Sequence, residues 1–146
     1  QVTLTSFIPM LMDTGGNSGS QASVTVIRAI SLGEIDFKDI LKVIWKESRV
    51  SLLCGITLAA ANFIKMMLID RLLLGNADVT FLIALVVCLT MIVTIFFAKI
   101  VGCTLPLFAK KIGFDPAVMA SPFITTIVDA LSLLIYFNIA GILLHI

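Results

Sequence analysis

The chain has 146 residues, 60% of them hydrophobic and 13% charged, with a formal net charge of +1 and a mean hydropathy of +1.14. A soluble domain of this size could not hide so much apolar surface, so composition points to an all-α, polytopic helical membrane protein. The charge leaves no electrostatic footprint for nucleic acid, and three scattered cysteines (Cys54, Cys88, Cys103) with a single histidine, His145, argue against a zinc site or a disulfide framework.

Four membrane spans are expected, because each needs about 20 mainly apolar residues. The first covers about 3–30 and is interrupted by the polar run Asp13-Thr-Gly-Gly-Asn-Ser-Gly-Ser-Gln21. Between 31 and 49 the apolar residues Ile35, Ile40, Val43 and Ile44 recur at helical spacing with charges between them. That pattern predicts a short amphipathic helix over about 35–48, lying at the membrane interface with Trp45 as its anchor. The second span is expected over about 50–74 and is followed by a tight turn at Gly75-Asn-Ala-Asp78. The third covers about 79–108, ending near Pro106. The fourth covers about 117–145, after Pro116 at the first turn of its helix. All four belong to a single transmembrane pore domain, 1–146.

Basic residues set the expected orientation. Arg28, Lys38, Lys42, Lys46 and Arg49 flank the first linker and Lys110 and Lys111 the third, against Arg71 and Lys65 near the second. Positive-inside bias places linkers 31–49 and 109–116 in the cytoplasm and the C-terminus outside. The chain then enters from outside without a signal sequence, which an upstream helix would resolve. Five spans are therefore expected in the intact protein, of which this chain carries four.

Two helix faces carry candidate chemistry. In the first span Asp13, Gly16, Asn17, Ser20 and Val24 stack on one face, while Gly15, Gly19 and Ser23 form a neighbouring stripe that lets another helix come close. Packing explains the glycines but not Asp13, Asn17 and Gln21, which are costly in lipid unless they face a cavity, an ion or a partner helix. In the last span Ser121, Thr125 and Asp129 follow at i, i+4 and i+8. No basic residue lies near Asp129 in sequence, so a metal cation or a proton has to supply the missing positive charge. Lys65 and Lys99 are each read as snorkelling to an interface. The candidate metal-binding set is Asp129, Asp13, Gly16, Asn17, Ser20, Ser121 and Thr125. Its oxygen chemistry suits a hard ion such as Mg2+, which keeps several waters and needs only one or two carboxylates.

An enzyme is not expected. Gly16-Asn-Ser-Gly19 matches the GxSG of rhomboid proteases, but the only histidine, His145, stands at the far end of the last span. Asp13 and Asp129 lack the settings of an intramembrane aspartyl protease.

The two polar runs also carry a resemblance. The pattern Pro9-x5-Gly15-Gly16-Asn17-x-Gly19-x-Gln21-Ala22, the following Arg28 and the run Pro122-Phe-Ile-Thr-Thr-Ile-Val-Asp129 resemble the membrane domain of the MgtE family of magnesium channels. The resemblance implies a homodimer in the plasma membrane, with a pore on the dimer axis lined by this chain's first and fourth spans. It implies Asp129 as the pore aspartate and Asp13, Gly16, Ser20, Val24 and Ser121 as other pore positions. The family usually has Gly where this chain has Asp13, and some members have Asn, Thr and Asn at the positions of Ser20, Val24 and Ser121. Those departures bear on selectivity among Mg2+, Mn2+ and Co2+. The cytosolic sensor domains that gate family members are not in this sequence. The expected function is a divalent-cation channel for hydrated Mg2+; the alternative is a carrier exchanging the cation for protons or sodium.

Overall fold

The computed structural model describes the backbone of residues 2–119 and 122–145 and the side chains of 3–118 and 122–145. The described residues are helical and contain no strand. A short turn of helix, α1 (Val2–Thr5), leads into α2 (Ile8–Ser31). Then come α3 (Ile40–Lys65), α4 (Phe81–Lys111) and α5 (Pro122–Leu144), with a π-helical segment at Met66–Leu73 and 3-10 turns at Phe37–Asp39 and Pro116–Met119. Pro9 opens α2, where its missing N–H costs nothing. Thr80 caps α4, its hydroxyl accepting from the Ile83 N–H at 3.3 Å.

Among the described residues, three helices are long and apolar enough to cross a membrane: Phe37–Leu73, Phe81–Lys111 and Pro122–Leu144. The protein is therefore an integral membrane protein by length and composition. The remaining long helix, α2, has 24 residues, a length of about 36 Å. It packs beside both α4 and α5, but its polar run keeps it below the apolarity of the other three.

The central element is α4. It touches α2, α3 and α5, and Ala84, Val87, Met91, Ile95, Ala98 and Leu107 are all buried on it. Pro106 stands inside this helix, so the third span continues beyond the expected end near 108 to Lys111. Small residues permit the close crossings. Gly15 and Gly19 are buried between α2 and its neighbours: a methyl carbon on Gly15 would lie 2.7 Å from Thr94 Cγ2 and 2.9 Å from Val128 Cγ1. A methyl carbon on Gly102 of α4 would land on the Gly19 carbonyl oxygen of α2. The Gly15–Gly19–Ser23 stripe thus meets α4 and α5 as a surface for close approach.

The amphipathic segment differs from expectation. No break separates the expected interfacial helix at 35–48 from the expected span at 50–74: helix is continuous from Phe37 to Leu73, with α3 at its centre. Its buried residues Glu47, Ser51, Gly55, Ala59 and Asn62, with Met66 beyond, recur at three- or four-residue spacing as one stripe against α4. Ile35, Ile40, Val43 and Ile44 pack against Val26, Ile30, Cys103 and Leu107, so that apolar face meets protein. Trp45 is exposed.

The two ends of the bundle are tied differently. At one end Lys110 Nζ donates to Asp36 Oδ1 at 2.6 Å, Phe37 and Phe108 meet edge to face at 5.2 Å, and the Lys111 ammonium sits 4.0 Å over the Phe37 ring. The first and third linkers therefore share one end. At the other end Tyr136 OH donates to the Leu4 carbonyl at 2.9 Å, within a cluster that includes Phe7, Leu11, Met66 and Val79.

Candidate functional site

The polar run of α2 is held by the glycine packing of its opposite side. Because Gly15 and Gly19 are drawn against α4 and α5, the residues about half a turn away must point outward. Asp13, Asn17, Gln21 and Val24 are exposed, Ser20 is partly buried and Gly16 is buried. Asn17 Nδ2 donates to Asp13 Oδ2 at 3.1 Å, one turn of helix fixing the carboxylate. Asp13, Thr14, Asn17, Ser18 and Gln21 also line a cavity of about 250 Å³ that reaches Cys54, Leu58 and Lys99.

Gly16 is the point where this face meets α5. A methyl carbon there would lie 3.2 Å from Thr125 Cγ2 and 3.9 Å from Asp129 Oδ1. The absent side chain leaves the Asp129 carboxylate room beside α2. Thr125 turns its hydroxyl back to the Pro122 carbonyl at 3.1 Å, so its methyl faces Gly16. Asp129 is partly buried. Among the described residues no base lies within ion-pair distance of Asp129. Ser121 lies outside the described residues.

The structure therefore brings Asp13, Gly16, Asn17, Thr125 and Asp129 to one side of the α2–α5 pair, with Ser20 a turn further along α2. Among the described residues no three His, Cys, Asp or Glu side chains cluster as a ready-made metal site. Two carboxylates and the Asn17 amide on one face suit an ion that retains its water, as Mg2+ does because it dehydrates reluctantly.

Lys99 corrects the sequence expectation. It does not snorkel: it is buried, at 7% exposure, and pairs with the equally buried Glu47 of α3 at 3.5 Å. A signal was present. Lys99 lies twelve residues before the last residue of α4, Lys111, a depth of about 18 Å, beyond the reach of its own side chain. Lys65 is half-exposed and binds Asp70 at 2.8 Å, as a residue at a helix end can. The three cysteines are free, with Cys88 and Cys103 buried.

Comparison with known families decides the identity. The MgtE family, described as divalent cation transporters, matches residues 8–139. This chain belongs to the MgtE family. Similar proteins include the magnesium transporter MgtE of Thermus thermophilus, 36% identical over 144 residues and 97% of this chain. The magnesium transporter MgtE of Bacillus subtilis is 35% identical over 99% of the chain, and that of Enterococcus faecalis is 31% identical over 97%. The chain spans about 30% of the length of each of these MgtE relatives.

Proposed function

We propose that this chain forms the ion-conducting membrane part of a divalent-cation channel, with hydrated Mg2+ as its cargo and Mn2+ or Co2+ as competitors. The observation that carries the reading is the outward polar face of α2, beside an Asp129 that no base pairs with among the described residues. In a bilayer a carboxylate, two amides and a hydroxyl cannot face lipid. A second copy presenting the same face across a twofold axis would enclose them in water and bring four carboxylates, two from each chain, around one passage. The surrounding neutral oxygens would hold the hydration shell while the carboxylates supply the field.

The bundle end carrying Arg28, Lys38, Lys42, Lys46, Arg49, Lys110 and Lys111 faces the cytoplasm in this reading, and the C-terminus faces out across the plasma membrane. The test is reconstitution of the purified protein in liposomes with electrical recording. A channel gives a current that reverses at the Mg2+ equilibrium potential; coupled exchange with protons or sodium would displace that reversal and favour a carrier. Asp13→Gly removes one of the two carboxylates this chain would bring to the passage, at a worth of about 1 kcal/mol. The Mg2+ concentration for half-maximal flux should then rise about fivefold. Unchanged affinity places Asp13 outside the conduction path.

A further inference from the structure

We propose that the outer face of the first half of α3 is a binding surface for anionic phospholipid headgroups. Helix Phe37–Leu73 has 37 residues, about 55 Å, well beyond a hydrocarbon core of about 30 Å. Its charged first turns therefore stand at headgroup level. There Lys42, Trp45, Lys46, Arg49, Leu53 and Ile56 fall within an arc of about 100°. All six are exposed, and Trp45 reaches 68%. The arc is basic from Lys42 to Arg49 and apolar from Leu53 onward, the order in which a phospholipid presents headgroup and chain. The opposite face of the same helix, bearing Glu47 and Ser51, is buried.

The charge balance favours an anionic occupant. Three acids at this end are paired with a cation within the chain: Asp36 with Lys110 at 2.6 Å, Asp39 with Lys42 at 3.1 Å and Glu47 with Lys99 at 3.5 Å; Asp115 accepts from the Ala117 N–H at 2.9 Å. Lys46 and Arg49 have no carboxylate within ion-pair distance among the described residues. Glu34, which shares a cavity of about 370 Å³ with Lys42 and Lys46, is the acid that opposes them, at the turn before the helix. Two unpaired cations beside an exposed indole and an apolar stripe form a surface for phosphate with acyl chain attached.

Trp45 reports on this surface directly, as the single tryptophan of these 146 residues. The purified protein and its Trp45→Phe variant are reconstituted with brominated anionic or brominated zwitterionic phospholipid at equal mole fraction. The difference between the two proteins isolates the Trp45 signal. The anionic lipid should quench about fivefold more effectively than the zwitterionic one, and Lys46→Gln with Arg49→Gln should bring the two to parity. Both replaced side chains are exposed and unpaired, so the fold is left intact. Equal quenching by both lipids overturns the proposal, as does an anionic preference that survives the double variant. Absence of quenching by either lipid also overturns it, since the face is then covered by protein.

Discussion

Gly102→Ala should prevent α2 from seating on α4. The added carbon falls on the Gly19 carbonyl oxygen and 2.9 Å from the Gly19 carbonyl carbon. Both are backbone atoms, so no rotamer change relieves the clash and the helices must separate. Separation also loosens Gly15, packed against Thr94 and Val128, and with it the register that sets Gly16 beside Thr125. Overpacking of a tight core costs about 1–3 kcal/mol where side chains can yield; a backbone contact belongs at or above the upper limit. For a chain of this size about 3 kcal/mol lowers the unfolding midpoint by roughly 6–12 °C. Thermal unfolding of the purified variant in detergent measures it. A variant as stable as the parent would show that α2 and α4 do not cross at this point.

Lys99→Met should destabilise the protein by about 3–5 kcal/mol, because it leaves the buried Glu47 carboxylate without its cation. Both side chains are buried, at 9% and 8% exposure, so solvent screens the pair little. The informative comparison is the double variant Glu47→Gln with Lys99→Met. Replacing both partners removes the uncompensated charge and should recover most of the loss, and the double-mutant cycle reads the coupling between them. If Lys99→Met alone leaves stability unchanged, water entering from the two flanking cavities, which Glu47 and Lys99 line separately, solvates the carboxylate. The pair also bears on placement, since it clamps the charged first half of α3 against the middle of α4.

These two residues show what the sequence made legible and what it hid. Apolar length and the small-residue stripe of α2 follow from local rules, so a helical membrane protein with close crossings at Gly15 and Gly19 could be read directly. The opposed polar stripe follows from the same periodicity, because residues drawn inward on one side force their neighbours outward. The shared end of the first and third linkers could be read from basic residues, and contacts such as Asp36–Lys110 hold it. The continuity of α3 is not legible locally, because the change from charged to apolar residues near Arg49 reads as a boundary between two helices. The spacing Glu47, Ser51, Gly55, Ala59 was visible as one stripe only to a reader willing to bury a glutamate. That burial depends on Lys99, whose partner lies on another helix, and no local pattern connects positions 47 and 99. The third span is expected to end near Pro106, at about 108. In α4 that proline stands one turn after the Gly102 crossing, and the helix carries on to Lys111.

The reading of function stands on the carboxyl group of Asp129. Asparagine has nearly the same shape, so Asp129→Asn changes the charge beside Gly16 and leaves the packing in place. The decisive measurement is Mg2+ flux into liposomes holding equal amounts of correctly assembled parent and Asp129→Asn protein. Loss of one charge per chain in the passage, at about 1.4 kcal/mol or more of ion stabilisation, predicts a fall of about tenfold or more. Flux at the parent rate would mean that ions do not pass this carboxylate, and the conduction path along α2 and α5 would be wrong.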